Sequence, residues 1–184
     1  QFILTPSLAA ETVTHPADRD EQDKTDSMAS RLIEKTVGSL KLAGFSMAGE
    51  ETVIVLPEMN VAFDVGRAPR ELISIDYVCL SHGHMDHSAG LAYYFSQRNF
   101  QGLPAGCVIA PHRLVQPIQD LVQVYGRIEG HVSPAKIIGV DEDEDVAIRR
   151  DLVVRPFRVR HAGGALRFSV IEVRKKLRPD LAEL

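Results

Sequence analysis

At 184 residues, 45% of them hydrophobic, with a formal charge of −4 from 21 basic and 25 acidic side chains, the chain is long enough for one cored domain. Two cysteines exclude a disulfide framework, and no apolar stretch is long enough to span a bilayer. A soluble protein of a reducing compartment, the cytoplasm, is expected.

Residues 1–30 are rich in Asp, Glu, Thr, Ser and Ala without periodicity and read as a mobile tail that also contains His15. Phe2-Ile3-Leu4 is too short for a signal-peptide core and lacks a basic flank. The chain begins with Gln, and Met28 precedes the first patterned stretch, so translation is expected to start there and residues 1–27 to be a fragment or read-through. The domain itself is assigned to residues 31–184. From Gly38 onward short apolar segments at 40–47, 52–56 and 60–65, separated by Gly, Glu and Pro, predict a β-meander. Asp64, just before Gly66, reads on its own as a solvated turn acid.

Residues 77–80 form an apolar run that predicts a buried strand, and 91–100 predict a helix. Between them the loop Ser81-His82-Gly83-His84-Met85-Asp86-His87 holds three of the seven histidines. His82 and His84, two apart in extended chain, point the same way, whereas Asp86 and His87 lie further round the turn and face a second nearby point. Imidazole nitrogen and carboxylate oxygen are what zinc prefers, so two adjacent metal positions are predicted. Cys79 and Cys107 lie in apolar runs and read as small buried thiols rather than ligands.

A strand at 106–110 and a helix at 111–125, with Pro111 at its start, continue the α/β alternation. His112 and His131 have no partner at ligand spacing and are left out of the site. The five acids at 141–145 read as a solvated loop facing away from any polyanion. Over residues 149–178 the balance reverses, to ten Arg or Lys against Asp151 and Glu172, a net of 10 − 2 = +8. Such a surface concentrates a polyphosphate. Within 153–161 the period is two, which places Phe157, Val159 and His161 on one inward face, with Gly163-Gly164 turning the chain so that His161 sits where a metal is reached.

The pattern His-x-His-x-Asp-His after a buried strand, followed by Gly90-Leu91, resembles the metallo-β-lactamase superfamily. Within it the chain is similar to ribonuclease Z, the tRNA 3′-processing endonuclease, in its short plant-type form. The similarity includes residues 43–49 with Glu51-Thr52, then Ala62-Phe63-Asp64-Val65-Gly66-Arg67-Ala68-Pro69, the strand ending at His161, and the segment 168–177. The implied fold is α/β (α+β), an αββα sandwich of which this chain supplies the first half and part of the second. The implied sites are His82, His84 and His161 on one zinc, Asp86 and His87 on the second, and Asp86 also managing protons as the catalytic residue. Asp64 becomes a partner that orients a metal-bound histidine. Arg174, Lys175, Lys176 and Arg178 become the start of a projecting arm that grips the tRNA backbone without reading bases.

Two Zn2+ ions in the complete protein would lower the pKa of bound water towards neutrality and stabilise charge on a scissile phosphate, so metal-bound hydroxide is the expected nucleophile. Precursor tRNA is the expected partner, no membrane is, and a homodimer is among the assemblies allowed. Two departures stand out. The downstream bridging aspartate and late histidines of the family do not occur before Leu184, which suggests a truncated sequence, and Arg167-Phe168 stands where the family has Gly and an aromatic. The ligand cluster alone also fits a small-molecule metallo-hydrolase acting on a thioester, lactone or phosphodiester, and the missing ligands fit a non-catalytic fragment.

Overall fold

The structure, a computed structural model, describes residues 32–159 and 164–174. The tail and start-site readings at residues 1–30 fall outside that range, as does His161. Strands β1 (Ile33–Val37), β2 (Leu40–Met47), β3 (Glu51–Leu56) and β4 (Val61–Phe63) pair consecutively and antiparallel, which is the meander the short apolar segments predict. After β4 the topology changes. Helix α1 (Arg70–Ile73) leads to β5 (Tyr77–Cys79), which pairs parallel with β4, and β6 (Gly106–Pro111) and β7 (Ala135–Val140) continue the parallel half of the sheet.

The parallel strands are apolar on both faces because both faces are covered. Val78 and Leu80, with Val108 and Ala110, face α1, α3 (Leu91–Phe100) and α4 (Val115–Glu129) across a core that includes Leu72, Tyr94, Phe95, Ile118 and Val122. The alternate residues Cys79, Cys107 and Ile109 face a second sheet, the antiparallel β8 (Val146–Arg149), β9 (Leu152–Arg158) and β10 (Leu166–Glu172). Helix, sheet, sheet are thus three layers of the expected αββα sandwich among the described residues. None of the described helices is long and apolar enough to cross a membrane.

Two local expectations need correction. Pro111 ends β6 rather than starting a helix, its ψ of 135° holding the chain extended; a 3-10 turn (His112–Leu114) intervenes before α4, which runs to Gly130 at φ 78°, a left-handed cap. In β9 the core-facing residues are Leu152, Val154 and Pro156, while Phe157 is 36% exposed on the alternate parity. The face packed on the larger sheet is therefore that of Leu152 and Val154, because contact with Cys79 and Ile109 fixes the phase, while Phe157 and Val159 line the cavity described below.

One buried cation ties the helical layer to the sheet. Arg98 of α3 is 1% exposed and donates to the carbonyls of Ile73 and Ile75 at 2.8 Å each, to that of Pro104 at 3.0 Å, and to the Asp76 carboxylate. Replacing it would leave the Ile73 and Pro104 carbonyls and the Asp76 carboxylate without its N–H groups, while the Ile75 carbonyl would keep only the Tyr94 hydroxyl, a mechanism worth several kcal/mol. We predict that Arg98→Met lowers unfolding stability by about 3 kcal/mol in urea titration, with the slope unchanged. Burial also pushes the Cys79 and Cys107 thiols up, so neither is a ready thiolate. A maleimide at pH 8 should label neither in the native protein and both after denaturation. Folded-state protonation of these thiols stabilises the native state below pH 9 and is lost as pH rises beyond the unfolded value of 9.0.

Candidate metal centre

The site is built where the sheet changes from antiparallel to parallel. Asp64 directly follows β4 and the histidine loop directly follows β5, so the parallel pairing of these strands sets the two side by side. Asp64 is 5% exposed and adopts φ 57°, a left-handed conformation that aspartate tolerates better than most side chains. Its Oδ1 accepts the Ser81 N–H at 2.7 Å, and its Oδ2 lies 3.0 Å from Ser81 Oγ and 2.7 Å from His87 Nδ1. The turn acid of the sequence is a buried hub.

His82, 6% exposed, lies with Nδ1 2.9 Å from Ser81 Oγ and Nε2 2.9 Å from His84 Nδ1. Its ring centroid is 4.4 Å from that of His84 and 4.2 Å from that of His87. A single helical turn, α2 (Met85–Ser88), follows His84 and swings Asp86 and His87 round to the same side. Ser88 Oγ–H donates back to the His84 carbonyl at 2.9 Å and closes that turn. His87 Nε2 is then 3.4 Å from Asp86 Oδ2, which also accepts the Gly49 N–H at 2.9 Å from the β2–β3 turn. The Gly49 amide, followed by the backbone N–H of Asp86 itself and then by the nearby His87 and His84, holds the Asp86 carboxyl below the usual carboxylate range.

The loop is held from outside as well. The His87 carbonyl accepts the N–H groups of Val65 and Gly66 at 2.9 and 3.2 Å, and Gly90 N–H donates to the Gly66 carbonyl at 2.8 Å. A Cβ on Gly90 would lie 2.4 Å from the Ala68 nitrogen, so no other residue allows this approach. Glu51, 6% exposed, accepts the Arg67 N–H at 2.9 Å and braces the same segment from β3. Ser81, Gly49 and Glu51 were not recognised from sequence. Ser81 adjoins the first histidine, but nothing in the residue order shows that β4 would bring Asp64 beneath it.

Four donor side chains therefore converge as two pairs, His82 with His84 and Asp86 with His87, at the mouth of a cavity of about 730 Å³. Its walls include Phe63, Phe157, Leu166 and Phe168. Nitrogen and carboxylate oxygen without sulfur are a donor set that suits zinc and its neighbours, so the residues present fit a divalent metal. The position of His161 lies outside the described residues. Val159 and Ala165, from the described chain before and after it, line the same cavity, and Leu166 N–H donates to the Ser81 carbonyl at 3.0 Å. A second group was missed: the β7–β8 turn brings Asp141 and Glu144 to His112, with donor atoms within 4.8 Å of one another and all three residues exposed. Asp141 N–H donates to Glu144 at 2.9 Å, so that carboxylate also braces its own turn.

The charge pattern differs from the sequence reading. Asp145 and Glu142 of the acidic run do not form a separate face: they pair with Arg155 at 2.7 Å and Arg158 at 3.3 Å on β9. Arg149 pairs with Asp151 at 2.6 Å, and Arg174, the one described member of the expected arm, with Glu172 at 2.8 Å. Lys175, Lys176 and Arg178 lie outside the described residues. Arg167 lines the cavity and forms no ion pair with another described residue.

Residues 48–176 match the β-lactamase superfamily domain family, and the fold resembles the metallo-β-lactamase fold protein YhfI of Bacillus subtilis, with a TM-score of 0.52, 15% identity, and 68% of this chain and 53% of that one covered. The chain belongs to the β-lactamase superfamily, in its metallo-β-lactamase branch. Among curated proteins it is similar to ribonuclease Z: it is 31% identical over 139 residues to tRNase Z TRZ1 of Arabidopsis thaliana, covering 76% of this chain and 50% of that one. It is 30% identical over 137 residues to nuclear ribonuclease Z of Triticum aestivum, covering 74% and 78%. It spans about half the length of the first of these relatives. The fold implies a divalent metal. We predict that Asp64→Asn lowers zinc affinity about 10- to 100-fold in chelator competition, because the amide cannot accept from both Ser81 and His87 as the carboxylate does, while helix content stays the same by circular dichroism.

Proposed function

We propose that the protein is a zinc-dependent endoribonuclease of the ribonuclease Z type that acts on the 3′ end of precursor tRNA. The observation that carries this reading is the convergence of His82, His84, Asp86 and His87 on one cavity mouth above a shared buried carboxylate. Similarity to proteins named tRNase Z and ribonuclease Z supports the substrate class.

His82 and His84, with His161, would hold one ion, and Asp86 and His87 the second. Bound there, the ions supply charge neutralisation at a phosphate and a lowered pKa for water. The chain's own residues do the rest. Asp64 holds the His87 ring, the Gly49 amide positions Asp86 and keeps it ionised, and Phe63, Phe157, Leu166 and Phe168 form the apolar wall beside them. Arg167 is the cation on the cavity wall and is the described residue placed to meet a phosphate. The expected arm of Arg174, Lys175, Lys176 and Arg178 would add backbone contacts further out. The two buried, unbridged thiols fit a reducing compartment, which supports the cytoplasm as the place of action.

A small-molecule metallo-hydrolase is the second reading, favoured by the apolar walls and by the local neutralisation of Arg149, Arg155, Arg158 and Arg174. Incubating the protein with precursor tRNA and zinc decides between them. Cleavage at the 3′ side that is abolished by chelation and reduced at least a hundredfold by His84→Ala or Asp86→Ala is the expected result, with RNA binding that weakens as salt rises. Turnover of a generic thioester or lactone without RNA cleavage would instead establish the second reading. Binding of tRNA without cleavage of any of these substrates would contradict both.

A further inference from the structure

The contacts around Asp64 determine where two imidazole protons sit. An ionised carboxyl only accepts hydrogen bonds. His87 Nδ1, 2.7 Å from Asp64 Oδ2, therefore donates, which turns the Nε2 lone pair of a neutral His87 ring towards the Asp86 side. Ser81 has one hydroxyl proton, and Asp64 Oδ2 at 3.0 Å takes it. Its oxygen is then left as an acceptor towards His82 Nδ1, 2.9 Å away. A neutral His82 must carry its proton on Nδ1, so that Nε2 presents its lone pair on the side of His84.

We infer that Ser81 is a positioning residue that relays Asp64 to His82, so that one buried carboxylate sets the tautomers of two histidines, one in each pair of the metal site. Its purpose rests on the metal reading above, whereas the proton assignment rests on the contacts alone. The relay is geometrically pinned. Ser81 N–H is held by Asp64 Oδ1 at 2.7 Å and the Ser81 carbonyl by Leu166 N–H at 3.0 Å, so its hydroxyl is fixed between β4, β5 and β10. Only a residue with a hydroxyl on Cβ passes the carboxylate's preference on to His82. Alanine would take from Nδ1 the acceptor that favours the Nδ1–H ring. Such outer contacts commonly change metal affinity by about one to two powers of ten.

The test is nitrogen-15 NMR of histidine-labelled protein, which distinguishes Nδ1–H from Nε2–H rings, combined with zinc titration against a chelator. In the wild type both His82 and His87 should be Nδ1–H, with and without zinc. Ser81→Ala should leave His87 unchanged, shift His82 to a mixture of tautomers, and weaken zinc binding about tenfold or more. Thr and Val have the same shape, so Ser81→Thr retaining the wild-type tautomer and affinity while Ser81→Val loses both isolates the hydroxyl even where Ser81→Ala loosens the loop. An Nε2–H ring at His82 in the wild type would overturn the inference, as would a Ser81→Val protein with unchanged His82 tautomer and zinc affinity. A wild-type protein that shows the Nδ1–H pattern yet binds no zinc would remove the metal reading and leave the relay standing.

Discussion

The carboxylate of Asp64 is the constraint on which the site depends. It is buried, in a left-handed backbone conformation, and satisfied by three donors from the loop after the next parallel strand. A buried carboxylate without those donors would cost several kcal/mol, so Ser81 and His87 are not free to drift from it. The sheet makes this possible: antiparallel pairing up to β4 and parallel pairing from β4 to β5 bring both strand ends out on the same edge. That edge, outside the carboxyl ends of parallel strands, is where α/β sheets generally place their ligands. The helical layer matters to the site indirectly, through Arg98, which fixes the carbonyls of the α1–β5 connection and thereby the position of β5.

Much of this was legible in the residue order, and the reasons are local. Between Leu40 and Val65 short apolar segments are separated by Gly, Glu and Pro, and the meander follows. Residues 91–100 were read as a helix and form one over the same span. The convergence of the donor side chains was legible because four of them fall within six residues, so little of it depends on tertiary structure. What was not legible depends on contacts between distant segments. Ser81 and Gly49 acquire their roles only when Asp64 and Asp86 arrive from 17 and 37 positions away. The phase of β9 could not be settled by period-two reasoning, because its apolar residues Val153, Val154, Pro156 and Phe157 occur on both parities and the facing sheet decides.

Charge is where sequence and structure part most clearly. A surplus of eight positive charges over residues 149–178 counts side chains without their partners. In three dimensions the β7–β8 turn lays its acids along β9, and Arg155 and Arg158 meet Asp145 and Glu142. These pairs are exposed, so each contributes little to stability, but together they remove much of the local field that a polyanion would meet. Arg167 stands apart because it lines the cavity beside the histidines. Among the described residues, the cation beside the histidines is therefore Arg167, while Arg149, Arg155, Arg158 and Arg174 are each paired with a nearby acid.

In the metal reading proposed above, His82, His84, Asp86 and His87 hold divalent metal and Asp64 organises them. Zinc K-edge X-ray absorption of the zinc-loaded protein tests it most directly. The account predicts a shell of nitrogen and oxygen at about 2.0–2.2 Å with imidazole scattering and no sulfur, lost when His82 and His84 are both replaced by alanine. A sulfur shell at about 2.3 Å would place the metal at a cysteine instead. An unchanged spectrum in the double variant would place it elsewhere, as at His112, Asp141 and Glu144, and either result would contradict the claim.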